Sequence, residues 1–239
     1  MRIAALGDLH VRDTLPQPLR DLFAEVSGRA EVLVLCGDLT DRGLPDEAEA
    51  LAEALAVCRI PIISVLGNHD YESGQQGALH SILARSGVSV LDGESHEVHG
   101  VGFAGVKGFA GGFDDQVLQP WGEEIVKQFV HEAVNESLRL ETALTRLRSE
   151  TGSLRAVALM HYAPIRQTVE GEPLELVPFL GSSRLVDPID RSGAVAVFHA
   201  HAHHGSYAGT TPKGIPVYNV SLPVLRRLTP ERPFALIEV

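Results

Sequence analysis

VLVLCGDLTDRG, residues 32–43, joins five consecutive apolar residues to a polar run opened and closed by glycine. Side chains alternate in direction along a strand. A strand that is apolar throughout therefore has both faces of its sheet covered, as in a parallel sheet. The same grammar recurs on either side. Ile3 to Leu6 runs into Gly7-Asp8-Leu9-His10, and Ile60 to Leu66 runs into Gly67-Asn68-His69-Asp70. Between these runs the pattern is helical. Leu15 to Val26 places Leu15, Leu19, Leu22, Phe23 and Val26 on one face, and an Ala/Leu/Glu-rich segment extends from Pro45, a first-turn proline, to about Val57. Thirty residues separate Asp8 from Asp38 and another thirty separate Asp38 from Asn68. Each interval is the length of one βαβ unit. The first third thus predicts an α/β sheet of parallel strands.

Further on, Val88 to Lys107 holds short β-like pieces. Gly102 to Phe113, with Gly108, Gly111 and Gly112, reads as a flexible loop. Trp121 to about Ser149 predicts a long core-packing helix, with Ile125, Phe129, Ala133, Leu140, Leu144 and Leu147 on its apolar face. Arg155 to Met160 and Ala194 to Phe198 read as buried strands. The tail (Ser206 to Thr210, Ile215 to Val220, Phe234 to Val239) reads as antiparallel strands linked by Pro/Gly turns. With no internal repeat or linker, residues 1–239 are expected to form a single domain.

Composition narrows the function. The 239 residues carry 20 Lys+Arg against 31 Asp+Glu, a net charge of −11. That balance argues against an extended nucleic-acid or anionic-membrane surface. A hydrophobic content of 44% and a charged content of 21% are globular values. No apolar run approaches the roughly 20 residues that span a bilayer. Asp8 and His10 interrupt any leader of signal-peptide length, so a cytoplasmic location is expected. Cys36 and Cys58 form no CxxC pair and read as reduced, buried thiols. A folded chain of this size exposes about 10,000 Å².

The chemistry lies at the strand ends. Besides the three clusters above, Met160-His161-Tyr162 and Phe198-His199-Ala200-His201-Ala202-His203-His204-Gly205 each follow a strand. Ligands bind beyond the carboxyl ends of strands in open α/β sheets, so the five clusters converge. Asp, His and Asn without cysteine make a mixed oxygen/nitrogen donor set, suited to Mn, with Fe or Zn accepted by the same ligands. At least seven donors exceed one tetrahedral ion and suit two ions about 3.5–4 Å apart. Asp38, with two carboxylate oxygens on the central strand of the three, is the natural bridge. Two divalent ions less two aspartates and a hydroxide leave about one positive charge, which attracts a phosphate ester.

The ordered motifs D-x-H, G-D-x-x-D-R, G-N-H-D, H and H-x-H, from residue 7 to residue 205, resemble the calcineurin-like metallophosphoesterase superfamily. They resemble its class III phosphodiesterases more than its protein phosphatases, which usually have Glu at the position of Asp70. The resemblance implies a four-layer α/β/β/α sandwich of two mixed β-sheets flanked by helices. It assigns one ion to Asp8, His10, Asp38 and His203, and the second to Asp38, Asn68, His161 and His201. It implies His69 as the catalytic histidine at the leaving-group oxygen, with Asp41 orienting it through a carboxylate–imidazole hydrogen bond. A metal-bridging hydroxide would attack phosphorus in line. Ala200 departs from the family's usual glycine in the last motif. An alternative frame, His199-Ala200-His201, would leave His203 outside.

The implied activity is metal-dependent hydrolysis of a small phosphodiester. A phosphomonoesterase, a nucleotide pyrophosphatase and, in a different class, an inactive protein-binding scaffold are the alternatives. Arg42 touches phosphate or pairs with a carboxylate, and Asn68 and His69 are further substrate contacts. Asp70 is a helix N-cap or a partner of a ligand. Gly108 to Phe113 and Arg166 to Ser183 are the expected substrate rim.

Overall fold

The structure, a computed structural model, describes residues 1–12, 17–151 and 155–239. Leu15, assigned above to a helix face, lies outside the described residues. The accessible surface is 10456 Å², close to the area expected from chain length.

The first part of the chain runs β1 (Arg2–Leu6), α1 (Gln17–Arg29), β2 (Val32–Cys36), α2 (Pro45–Leu55), β3 (Ile62–Val65), α3 (Gln76–Arg85) and β4 (Val88–Val90). It continues through β5 (Glu94–Val98), β6 (Val101–Gly105), α4 (Glu124–Arg146), β7 (Ala156–Leu159), α5 (Val186–Ser192) and β8 (Ala196–His199). It ends with β9 (Ala208–Thr210), β10 (Pro216–Asn219), α6 (Leu222–Leu228) and β11 (Ala235–Glu238). One sheet has the order β11-β1-β2-β3-β4, and the other has the order β5-β6-β7-β8-β10-β9. In the first only β11 is antiparallel; in the second the edge strands β5 and β9 are antiparallel to a parallel centre. Both sheets are mixed and flanked by helices.

Side-chain alternation builds the layers. On the second sheet Phe103, Val157, Leu159, Ala196 and Phe198 join the core that contains Ile3, Leu33, Val34 and Ile63. Their neighbours in sequence, Ala104, Ala156, Ala158 and Val197, turn the other way, onto Leu140, Leu144 and Ile189 of α4 and α5. The fully buried Phe103 and Phe198 each contribute about 1.5–3 kcal/mol of burial between the sheets.

Register brings the strand ends together. Leu6 pairs with Leu35 and Cys36 pairs with Val65, so β1, β2 and β3 end at one level. Gly105 pairs with Leu159, and Leu159 with Phe198, so β6, β7 and β8 end together too. The two carboxyl edges are joined where Gly7 N–H donates to Val220 O (2.9 Å) and Leu222 N–H donates to Gly7 O (2.9 Å).

Three expectations change. Gly102–Gly105, read as the start of a flexible loop, belong to β6, a fully buried strand paired on both sides; the glycines are needed because Leu147, Val65 and Leu91 pack where a side chain would stand. The tail is antiparallel only in part: β9 and β10 pair antiparallel as expected, but β10 also runs parallel to β8, and β11 leaves them for the other sheet, where it pairs antiparallel with β1. The long helix starts at Glu124, and Ile125 and Trp121 are 72% and 57% exposed. Burial on α4 begins at Val130, so its first turns extend past the layer it covers. Helical periodicity marks a stripe and cannot say how much of it is covered. Among the described residues no helix is long and apolar enough to cross a membrane.

Candidate metal centre

The strand-end turns are bent hard. Asp8 (φ 56°), His10 (45°), Asp38 (48°) and His201 (69°) are four of the six described non-glycine residues with positive φ. Such left-handed conformations cost a side-chain-bearing residue about 1–3 kcal/mol and cluster at functional sites. Here they swing successive polar side chains off the strands into one cleft.

Asp38 stands in the middle, almost fully buried. Its Oδ1 accepts the His69 N–H (2.9 Å) and lies 3.3 Å from His161 Nε2. Its Oδ2 lies 3.9 Å from His10 Nε2 and 4.0 Å from His69 Nε2. Donor atoms converge on either side of this carboxylate. Asp8, His10 and His203 form one group, with His203 Nε2 3.4 Å from Asp8 Oδ2. Asp38, His161 and His201 form another, joined by Asn68, whose Oδ1 lies 3.0 Å from His161 Nε2. His161 Nε2 also lies 3.1 Å from His201 Nδ1. His10, Asp38 and His69 make a third close group.

The ring nitrogens are aimed by main-chain carbonyls. His161 Nδ1 meets Cys36 O at 2.9 Å, which leaves Nε2 facing Asp38, Asn68 and His201. The Phe179 carbonyl lies against the His201 ring. His69 Nδ1 meets the carbonyl of Asp41 at 2.7 Å. This differs from the expected carboxylate–imidazole bond. The Asp41 carboxylate pairs instead with Arg12 Nε (3.0 Å) and lies 3.9 Å from His10 Nδ1.

Two further devices fix the turns. The fully buried Asp70 is neither an N-cap nor a ligand neighbour alone. Its carboxylate accepts from Gly67 N (2.8 Å), Leu39 N (3.2 Å), Thr40 N (2.8 Å) and Thr40 Oγ1 (2.6 Å), clamping the turn after β2 to the turn after β3. Gly67 allows that approach, since a Cβ there would sit 2.2 Å from Asp38 N and Oδ1. The Ala200 departure is accommodated in the same way. Its methyl is 2.6 Å from where a Cβ on residue 7 would stand, so Gly7 makes its room.

Burial pushes the Asp38 carboxyl up, but His161 and His69 more than reverse this and hold it well below the usual carboxylate range. Burial likewise pushes His161 down, and Asp38 and Asp8 reverse it. His201 drops to about 3 through burial and the neighbouring His161 charge. His203 is raised, first by its hydrogen bond to Asp8.

The donor set fits divalent cations. His10 Nε2 is buried with no hydrogen-bond partner, and no Lys or Arg pairs with Asp8 or Asp38 among the described residues. The buried Asp8 and Asp38 carboxylates therefore face only imidazoles among the described residues, the mixed oxygen/nitrogen set that divalent cations take. The Cys36 thiol supplies no donor; burial pushes it up, and only its carbonyl is used.

Other histidines stand apart. His199 is fully buried, its ring between Thr168 Oγ1 (2.7 Å) and Ala200 O (2.8 Å), so His201 and His203 are the pair brought to the cleft. His204 is exposed. Arg42 is exposed too; its main-chain N–H donates to Glu47, and its side chain makes no ion pair among the described residues. The two loops expected as a rim pack on each other: Gly112 N–H donates to Gly181 O (3.0 Å) and Gly111 N–H to Pro178 O (3.0 Å). Sequence reading missed Lys107, whose carbonyl accepts from both His161 N (3.0 Å) and Tyr162 N (3.1 Å). Its position just beyond β6 was the available signal.

A family model described as calcineurin-like phosphoesterase matches residues 1–205. No curated protein matches the chain. Among solved structures, the fold is similar to phosphopantetheinyl hydrolase from Mycobacterium tuberculosis, with TM-score 0.65, 17% identity, and 98% of this chain and 95% of that one covered. It is also similar to a protein from Thermus thermophilus (TM-score 0.59, 18% identity, 99% and 98% covered). A third likeness is to purple acid phosphatase from yellow lupin seeds (TM-score 0.54, 12% identity, 85% and 38% covered). The strand-end motifs, the two mixed sheets and the family match agree: the chain belongs to the calcineurin-like phosphoesterase family.

Proposed function

We propose that the protein is a dinuclear metal-dependent hydrolase of a small phosphodiester. One observation carries the reading: the two oxygens of Asp38 face two separate groups of donors, His161 with Asn68 and His201 on one side and His10 on the other. Asp8 and His203 complete the His10 group. Cations held there, Mn²⁺ first among them, supply Lewis acidity and an activated water.

The chain's own residues do the rest. Asp8 and Asp38 offset part of the cationic charge, and Asn68 and the histidines offset none, so the cleft favours a phosphate monoanion. His69 is partly exposed, with Nδ1 on the Asp41 carbonyl, so Nε2 points toward Asp38 and the cleft. The carbonyl contact favours an N–H at Nδ1. A water that has given up one proton to solvent adds to phosphorus and keeps its other proton on the new P–OH; as the ester P–O bond breaks, the departing alcohol oxygen takes a proton from His69 Nε2.

The test is release of nitrophenolate from bis-p-nitrophenyl phosphate by chelator-stripped protein, before and after Mn²⁺ is restored. Turnover that returns with Mn²⁺ and disappears in Asp38→Ala and His69→Ala is expected. Mn²⁺ bound in full without turnover overturns the diesterase reading and favours a narrow monoesterase or a binding scaffold.

A further inference from the structure

The apolar face of α4 carries one acid. Glu136 shares that face with Ala133, Leu140 and Leu144 and is only 1% exposed. A carboxylate on a core face needs partners, and those of Glu136 lead to the metal centre. Its Oε2 accepts the Gly108 N–H at 2.6 Å, and its Oε1 accepts from Arg139 Nη1 at 2.9 Å. Arg139 also pairs with the Asp92 carboxylate at 2.5 Å, which fastens α4 to the turn before β5.

Lys107 precedes Gly108. Its carbonyl accepts the main-chain N–H of both His161 and Tyr162. Its ammonium donates to Gly108 O (2.8 Å) and stands over the rings of Phe109 (4.9 Å), Tyr162 (5.3 Å) and Tyr71 (5.5 Å). No carboxylate comes within ion-pair distance of it among the described residues, although the Glu136 charge is near enough to offset part of the cost of its burial. The Tyr162 ring packs in turn on His201, with centroids 4.5 Å apart. The two-residue step Lys107-Gly108 is therefore held from the helix side by Glu136. On its other side it holds the segment that carries His161 and the ring that backs His201.

We propose that Glu136 is a positioning residue for the half of the centre built on His161 and His201, acting through Gly108 and Lys107. The inference rests on the dinuclear reading above. The Asp8, His10 and His203 group stands one step further from Glu136: it meets the other half through the His201 N–H, which donates to Asp8 Oδ2 at 3.0 Å, so a Glu136 change should weigh most on the ion held by His161 and His201.

The experiment is a Mn²⁺ titration of chelator-stripped protein followed by electron paramagnetic resonance, which separates isolated from spin-coupled Mn²⁺. Glu136→Gln keeps the volume but offers one acceptor oxygen to two donors. The wild type is expected to bind two Mn²⁺ with a coupled signal. Glu136→Gln is expected to keep the first ion and bind the second about tenfold or more weakly. Glu136→Asp retains the charge but withdraws it from Gly108; it is expected to show the same selective loss and serves if the Gln variant does not fold. Wild-type affinity for both ions in either variant, whatever the change in Tm, overturns the inference and leaves a merely structural acid. Binding of a single ion by the wild type overturns the dinuclear reading and this inference with it.

Discussion

The proton on His161 must leave before a cation can take its place. Its environment is fully buried, which pushes the imidazole down, yet Asp38 at 3.3 Å and then Asp8 raise it to about 9. At pH 7 the metal-free ring is thus almost wholly protonated and paired with Asp38. His201, held near 3, and Asp38, held ionised, have no proton to release. Binding of the second ion should therefore expel about one proton. Two pH units lie between pH 7 and the raised value, so the second-site affinity should rise about tenfold per unit. That is roughly 100-fold in all, or about 2.7 kcal/mol. The stability of the metal-free protein should move the other way. A raised histidine contributes stability that is full below its ordinary 6.5 and is lost as pH climbs toward 9. The assay is calorimetry at pH 7 in buffers of different ionisation enthalpy, whose slope counts released protons, together with Mn²⁺ affinities from pH 7 to 8.5. A zero slope and a flat affinity would refute the reasoning, since they would mean that His161 is neutral in the empty site.

Three substitutions probe the remaining geometry. Asp70→Asn turns an amide N–H toward donors that now meet a carboxylate; hydrogen bonds to charged groups contribute about 1.5–3 kcal/mol each. Denaturant unfolding in chelator should show a loss of about 2–4 kcal/mol, and a loss below about 1 kcal/mol would remove the clamp from the account. Gly67→Ala puts a methyl within 2.2 Å of Asp38 N and Oδ1. It should weaken Mn²⁺ binding by about tenfold or more in calorimetry; unchanged binding would show that the turn yields freely. Asp41→Asn leaves the carbonyl on His69 in place and removes the charge from an ion pair exposed on its Arg12 side, worth about 1 kcal/mol, and from a 3.9 Å approach to His10 Nδ1. Turnover within about threefold of wild type is expected, and a 100-fold fall would restore the carboxylate role inferred from sequence.

The fold and the site were legible to different depths, for reasons that lie in the chain. Val32–Cys36 was read with its observed bounds because a short apolar run flanked by glycine admits few alternatives. Its register beside β1 and β3 then brought Asp8, Asp38 and Asn68 to one edge without further information. In the tail the antiparallel β9–β10 pair was legible, but the parallel contact of β10 with β8 and the move of β11 to β1 were not, because short β-rich runs look alike and the partner of β11 lies nearly the whole chain away. At the site, side-chain donors could be read off, but main-chain ones could not. Nothing in the letters Cys36, Asp41 or Phe179 announces that their carbonyls aim His161, His69 and His201. Glu136 gave a signal in its place on an apolar face, yet an acid there could equally have marked the edge of the stripe.

Local rules and global packing agree over most of the described residues, and four of the six exceptions in backbone conformation fall at the site. The two sheets bury apolar residues on both faces, whereas left-handed backbone at Asp8, His10, Asp38 and His201 runs against the ordinary preference of those residue types. In the same few turns two aspartates are buried without a Lys or Arg partner among the described residues, and the His10 Nε2 atom is buried with no hydrogen-bond partner. Each feature alone costs free energy, and distributed at random they would have no common remedy. Concentrated at the meeting of two carboxyl edges, they share one: cations would take the His10 lone pair and replace the proton that His161 holds against Asp38. The surrounding structure holds the strain in readiness through the Asp70 clamp, the Gly7 and Ala200 contact and the carbonyls behind each ring. A fold that merely tolerated such a cluster would be expected to hydrate it or relax it; this one braces it from every side.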